Sequence, residues 1–274
     1  MVRGECERII DSDIRQTETT ADSLLGSTHI DRLFLLLIAV VSAAWGLGAG
    51  PMLSDHEAIV AQGARQALQG DGWLVPHVGD APFIRKPPTP FWLVSLASLL
   101  CDAPGDLPVS VYAARLPSAI AGILLTLLVY ATGRMMFSHR VGIVAGVVQA
   151  VSLGGFYFAH NTQVEMLLTL TCTGAITCFW AATQHRSRSM LLAFYACLGG
   201  AMMCKAPLPV AVVVLPLAVW WLLVLPWIDR DSVSPTTGEH GESPPARVSF
   251  GRRVLDQIRR IPQLIPIAGI GLFL

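Results

Sequence analysis

The sequence predicts an all-α, polytopic membrane protein, and three observations carry that expectation. Hydrophobic residues make up 53% of the 274 positions and charged residues only 14%, against about a quarter charged in a soluble domain. The apolar residues gather in blocks close to the roughly 20 residues that cross a bilayer as a helix. Basic residues collect between alternate blocks, the pattern that short cytoplasmic loops leave. A formal net charge of zero argues against a nucleic-acid partner, because a phosphate backbone is bound by a basic excess.

Taken in order, residues 1–32 form a polar tail containing Arg3, Glu5, Glu7, Arg8, Asp11, Asp13 and Arg15. No small-residue cleavage site follows, so the first apolar block, Leu33 to Leu53, reads as an anchor. Further spans are expected at Leu116 to Thr132, Val141 to Ala159, Met166 to Ala182, Met190 to Cys204 and Pro207 to Ile228, and residues 263–274 begin another. Thr89 to Cys101 is too short to cross and reads as an interfacial helix. Charge supports that choice. If the segment stays on the surface, Arg134 and Arg140, then His185 and Arg188, then Arg247, Arg252 and Arg259 all fall on the side of the N-terminal tail, as the positive-inside rule requires. The layout is then a cytoplasmic tail, a membrane domain over 33–228 with an outer loop at 54–114, and a cytoplasmic loop at 229–262. That last loop is rich in Ser, Pro, Gly and charge, a composition that does not fold alone. The apolar run at the end suggests the front portion of a longer protein. Six scattered cysteines, without a C-x-x-C pair, read as small apolar helix residues.

The residues with chemical potential lie in the outer segments. Ser54-Asp55-His56-Glu57 opens a helical stretch, and Ser54 with Glu57 has the spacing of a capping box. Asp55 would favour the positive end of the same helix. These structural roles stand beside a catalytic one, in which a carboxylate takes a proton from an attacking hydroxyl. Arg85 and Lys86 precede two prolines and the aromatic pair Phe91 and Trp92. They can anchor the chain among lipid headgroups or bind a substrate phosphate. Glu165 and Lys205 each sit between apolar blocks, where a charge must lie at the water edge or face the protein interior. A snorkelling lysine is the structural alternative for Lys205.

The order of these segments resembles the class C glycosyltransferases of the aminoarabinose transferase and protein O-mannosyltransferase-like family. Glu57-Ala58, Ala61 and Ala64-Arg65 follow the family's D-E-A-x-x-A-x-x-A-R, and Gly70-Asp71-Gly72-Trp73-Leu74-Val75-Pro76 its G-D-W-L-V-P with one extra glycine. Arg85-Lys86-Pro87-Pro88-Thr89-Pro90-Phe91-Trp92 is similar to E-K-P-P-x-x-Y-W. Ala114-Arg115-Leu116-Pro117-Ser118 looks like A-R-L-P-S, Glu165-Met166 like D-M, and Lys205-Ala206-Pro207 like K-G-P. The resemblance implies a class C glycosyltransferase-like helical bundle in the bacterial inner membrane, with its active face extracytoplasmic. It also implies a polyprenyl-phosphate sugar donor, a lipid, protein or glycan acceptor, and inversion at the anomeric carbon. On that reading Asp55 is the base and Glu57 and Glu165 position the reactants. Arg85, Lys86 and Lys205 hold the donor phosphate, and His56 and Arg65 are supporting residues.

By register His56 stands where the family has its first acid, with Asp55 one residue earlier. Arg85 replaces a glutamate that could join a metal site, so no metal and no other cofactor is expected. Two other classes compete. A secondary transporter would place charges near the bilayer midplane in two related halves, whereas here they cluster at one face. An inactive or partial homologue would bind or assemble without catalysing transfer.

Overall fold

The computed structural model describes residues 29–49, 53–70, 72–78, 81–102, 109–185 and 187–224. The expected loop at 229–262 and the span beginning at 263 lie outside the described residues. The described chain is almost entirely helical. Helix α1 covers 29–44, and its buried residues Leu35, Ala39 and Ala43 recur every fourth position, which makes one face of a helix. It stops short of the expected Leu53 in a turn containing Gly46, whose φ of 72° suits a residue without a Cβ.

Helix α2 (Asp55–Leu68), a two-stranded ribbon of β1 (His77–Val78) and β2 (Ala81–Pro82), and α3 (Thr89–Cys101) follow. Residue 77 pairs with 82, and 78 with 81, in antiparallel register. Gly72, the extra glycine, has a φ of 74°, and a Cβ there would lie 2.5 Å from His77 Nδ1. No other residue fits that turn. Phe91 of α3 is buried with Val60, Ala64 and Val94, and a side chain of that size contributes about 1.5–3 kcal/mol on full burial. Ser95 Oγ donates to the Ala64 carbonyl at 3.1 Å. Thus α3 lies along α2 and against the start of α4, with the short length expected of a non-crossing helix.

Helices α4 (Val111–Met136) and α7 (Glu165–His185) are each long and apolar enough to cross a membrane, with mean hydropathies of 1.8 and 1.5. The expected single span from Val141 to Ala159 is broken. Helices α5 (His139–Val151) and α6 (Leu153–Ala159) meet at 55°, because Ser152 leaves the helical conformation and its hydroxyl accepts from Gly155 N at 3.0 Å, restarting the chain as a new helix. Helix α8 (Arg188–Lys205) pairs with α7. A final helical stretch runs from a π-helix, Val210–Val214, through α9 (Leu215–Val219), to a second π-helix, Trp220–Val224.

Two devices pack these helices. Gly133 of α4 and Gly142 of α5 face one another, and a Cβ on Gly133 would stand 2.9 Å from the Gly142 Cα. Small residues of this kind let membrane helices approach closely. Threonine hydroxyls bond to their own helix, as Thr132 does to the Leu128 carbonyl at 2.8 Å. Thr132 also meets Thr177 at 2.7 Å, joining α4 to α7 without leaving a polar group unpaired in an apolar setting.

Candidate active site

The start of α2, the start of α4, the turn before α7 and the end of α8 converge at one end of the bundle. Successive residues of α2 point about 100° apart, so Glu57 turns inward and is 3% exposed while Asp55 and His56 stay exposed. Arg115, on the first turns of α4, is 6% exposed. Its Nε donates to Glu57 Oε1 at 2.9 Å and its Nη2 to Oε2 at 3.1 Å. Thr162 adds its amide at 3.0 Å and its hydroxyl at 3.2 Å, both to Oε1. The Ser54 amide donates to Oε2 at 3.0 Å, which is the return half of the capping box.

Burial alone would raise the Glu57 carboxyl. The bonds from Arg115, Ser54 and Thr162, with the guanidinium charge, overcome it and hold the pKa down at about 2. A carboxylate so fully engaged remains ionised and has no lone pair left for a substrate proton. Glu57 therefore combines the cap with a buried ion pair. Arg115 has no role in the sequence reading. The signal was there: an arginine entering an apolar helix needs an anion.

Glu165 and Lys205 come together differently. Lys205 Nζ lies 3.3 Å from Glu165 Oε1, and the side chains are 52% and 30% exposed. Glu165 Oε2 is buried without a hydrogen-bond partner, as is Asn161 Oδ1 four residues earlier. This end thus presents a lysine with donors to spare and two acceptor atoms awaiting a donor.

The cation pair is brought towards this end through α3. Thr89 Oγ1 donates to the Met203 carbonyl at 2.9 Å, tying the residues just after Lys86 to those just before Lys205. Arg85 is exposed and Lys86 half-buried. Trp92 Nε1 donates to the Trp73 carbonyl at 2.7 Å, fixing the loop that precedes them. Arg65 is not brought in. It sits about 15 Å along α2 from Asp55, at 1.5 Å per residue, and its Nε is buried without a partner. Among the described residues no three His, Cys, Asp or Glu side chains gather as a metal site, and a cation at position 85 does not suit one.

Residues 85–236 match the family described as dolichyl-phosphate-mannose-protein mannosyltransferase. The chain belongs to this family. The mannosyltransferase-family segment includes Arg85, Lys86, Arg115, Glu165 and Lys205, whereas Asp55 and Glu57 precede it. The chain is 26% identical over 195 residues to undecaprenyl phosphate-alpha-4-amino-4-deoxy-L-arabinose arabinosyl transferase 2 of Proteus mirabilis, covering 69% of this chain and 34% of that protein. It is 26% identical over 196 residues to the corresponding transferase of Erwinia tasmaniensis, covering 69% and 33%. The chain thus spans about a third of the length of these curated relatives. The crystal structure of ArnT from Cupriavidus metallidurans in the apo state superposes with a TM-score of 0.60 at 17% identity, over 92% of this chain and 42% of that one. The same protein bound to undecaprenyl phosphate gives 0.59 at 17% identity, over 87% and 41%. The fold of the mannosyltransferase-family bundle is therefore shared with ArnT.

Proposed function

We propose that this chain takes part in moving a sugar from a polyprenyl phosphate to an acceptor at the outer face of a bacterial inner membrane, with inversion at the anomeric carbon. Family membership and the relatives named as undecaprenyl-phosphate-dependent transferases support the reaction class. The observation that carries the reading is the half-satisfied Glu165 and Lys205 pair, held beside the saturated Glu57 and Arg115 pair. One pair fixes the scaffold, and the other has atoms left for substrate.

On this reading Asp55 is the general base. It is exposed, has no partner among the described residues, and stands in the first turn of α2. It takes the acceptor's hydroxyl proton as that oxygen bonds to the anomeric carbon. The bond from that carbon to the phosphate oxygen breaks, and the electron pair leaves with the polyprenyl phosphate. Lys205, Arg85 and Lys86 stabilise the charge that grows there. Glu165 orients Lys205 and accepts from a sugar hydroxyl through Oε2. Residues 54–114 then lie outside, and 1–32 and 229–262 lie in the cytoplasm.

Labelled sugar transfer from polyprenyl-phosphate donors, in membranes carrying the natural full-length protein, tests the reading. Asp55→Asn is expected to lower transfer by about 10²- to 10⁴-fold with unchanged protein in the membrane. Near-normal turnover in that variant removes Asp55 from the base role. No transfer across a broad donor panel, with folded protein present, favours a homologue that binds without catalysing.

A further inference from the structure

At the opposite end of the bundle, α1 and the last turns of α4 leave a groove of about 740 Å³ between them. Leu33, Leu36, Leu127 and Ala131 give it an apolar lining, and His29, Arg32 and Arg134 line it as well. Neither arginine has an ion-pair partner among the described residues. The nearby acid, Asp31, is already paired with His139 at 2.8 Å. Tyr130 also lines the groove, is 2% exposed, and its buried hydroxyl has no hydrogen-bond partner. Two unspent guanidinium groups, an unsatisfied phenol and an apolar lining meet where α1 lies beside the end of α4, a helix long and apolar enough to cross a membrane. Such a surface matches a molecule with an anionic head and hydrocarbon tails.

We propose that this groove binds an anionic phospholipid of the bilayer, with its phosphate between Arg32 and Arg134, a bond from the Tyr130 hydroxyl, and its acyl chains along Leu33 and Leu36. Guanidinium groups offer a phosphate paired donors in a fixed plane. The site is separate from the Glu165 and Lys205 end and does not depend on the transfer reaction.

Native mass spectrometry of the full chain in detergent, titrated with phosphatidylglycerol or phosphatidylcholine, tests this. Phosphatidylglycerol is expected to bind about thirtyfold more tightly than phosphatidylcholine, the factor that two cations near a headgroup supply. The double variant Arg32→Gln with Arg134→Gln is expected to abolish that preference. The charge-retaining pair Arg32→Lys with Arg134→Lys keeps most of it and controls for folding. Tyr130→Phe is expected to lose about fivefold, the share of one hydrogen bond. Equal retention of phosphatidylglycerol by parent and double Gln variant overturns the proposal. So does a parent that does not discriminate between the two lipids, the result expected if a segment beyond residue 224 fills the groove.

Discussion

Two acid and base pairs share one end of this bundle, and they differ in what they leave unmade. Glu57 and Arg115 are buried, doubly bonded, and supported by Ser54 and Thr162. Glu165 and Lys205 touch once, at 3.3 Å, with one carboxylate oxygen unpartnered and the lysine half exposed. A buried pair is costly to break because a single charge is then stranded away from water, while an exposed pair contributes about 0–1 kcal/mol. Charge near a candidate site is therefore no guide to chemistry by itself. Spare hydrogen-bonding capacity is the better guide.

Removing one partner from each pair should separate their roles. Arg115→Met is expected to destabilise the protein by about 3–5 kcal/mol, read as a lowered thermal midpoint in detergent. A change below about 1 kcal/mol would mean that the pair is not the lock described. Lys205→Met should do the reverse. Transfer is expected to fall by about 10²- to 10³-fold, as when an oxyanion-stabilising donor is lost, while stability moves by no more than about 1 kcal/mol. If Lys205→Met lowers the thermal midpoint as far as Arg115→Met does, the contrast between the pairs fails.

Acid provides a milder way to break the first pair. The Glu57 pKa is depressed from 4.5 to about 2, so the folded state binds its proton later than the unfolded chain. The stability that Glu57 contributes is present above about pH 4.5 and is lost as pH falls towards about 2. A thermal midpoint measured across that window should fall with pH in the parent and fall less steeply in Glu57→Gln. Equal slopes would contradict the depressed pKa. The same variant should cost more than the roughly 1 kcal/mol of a lost cap, because Arg115 loses its charged partner.

Local signals were legible in the sequence, and distant pairings were not. Thr89 to Cys101 appears as α3 with the expected bounds, since its length and its flanking prolines are local features. Ser152 marked the break in the run from Val141 to Ala159, but continuous hydrophobicity outweighed one capping residue. Helix α1 ends before the expected Leu53 for a similar reason: apolar composition continues past the turn at Gly46. Glu165 and Lys205 were both legible as isolated charges, and the structure makes them a pair. Arg115 escaped because its acid lies 58 positions away, and no periodicity or spacing rule connects residues at that distance. The order of short motifs revealed the family through segments that are individually weak.

The bonds that Glu57 accepts from Thr162 and Arg115 also set which joints at this end of the molecule are strong. They rivet the entry of α2, the top of α4 and the turn before α7 into one rigid plate, and parting any two exposes a desolvated charge. On the other flank, an exposed Thr89 to Met203 hydrogen bond stitches α3 to α8. The α3 and α8 seam, beside Lys205, is therefore the weaker joint at this end, held by one exposed bond where the riveted plate is held by several buried ones.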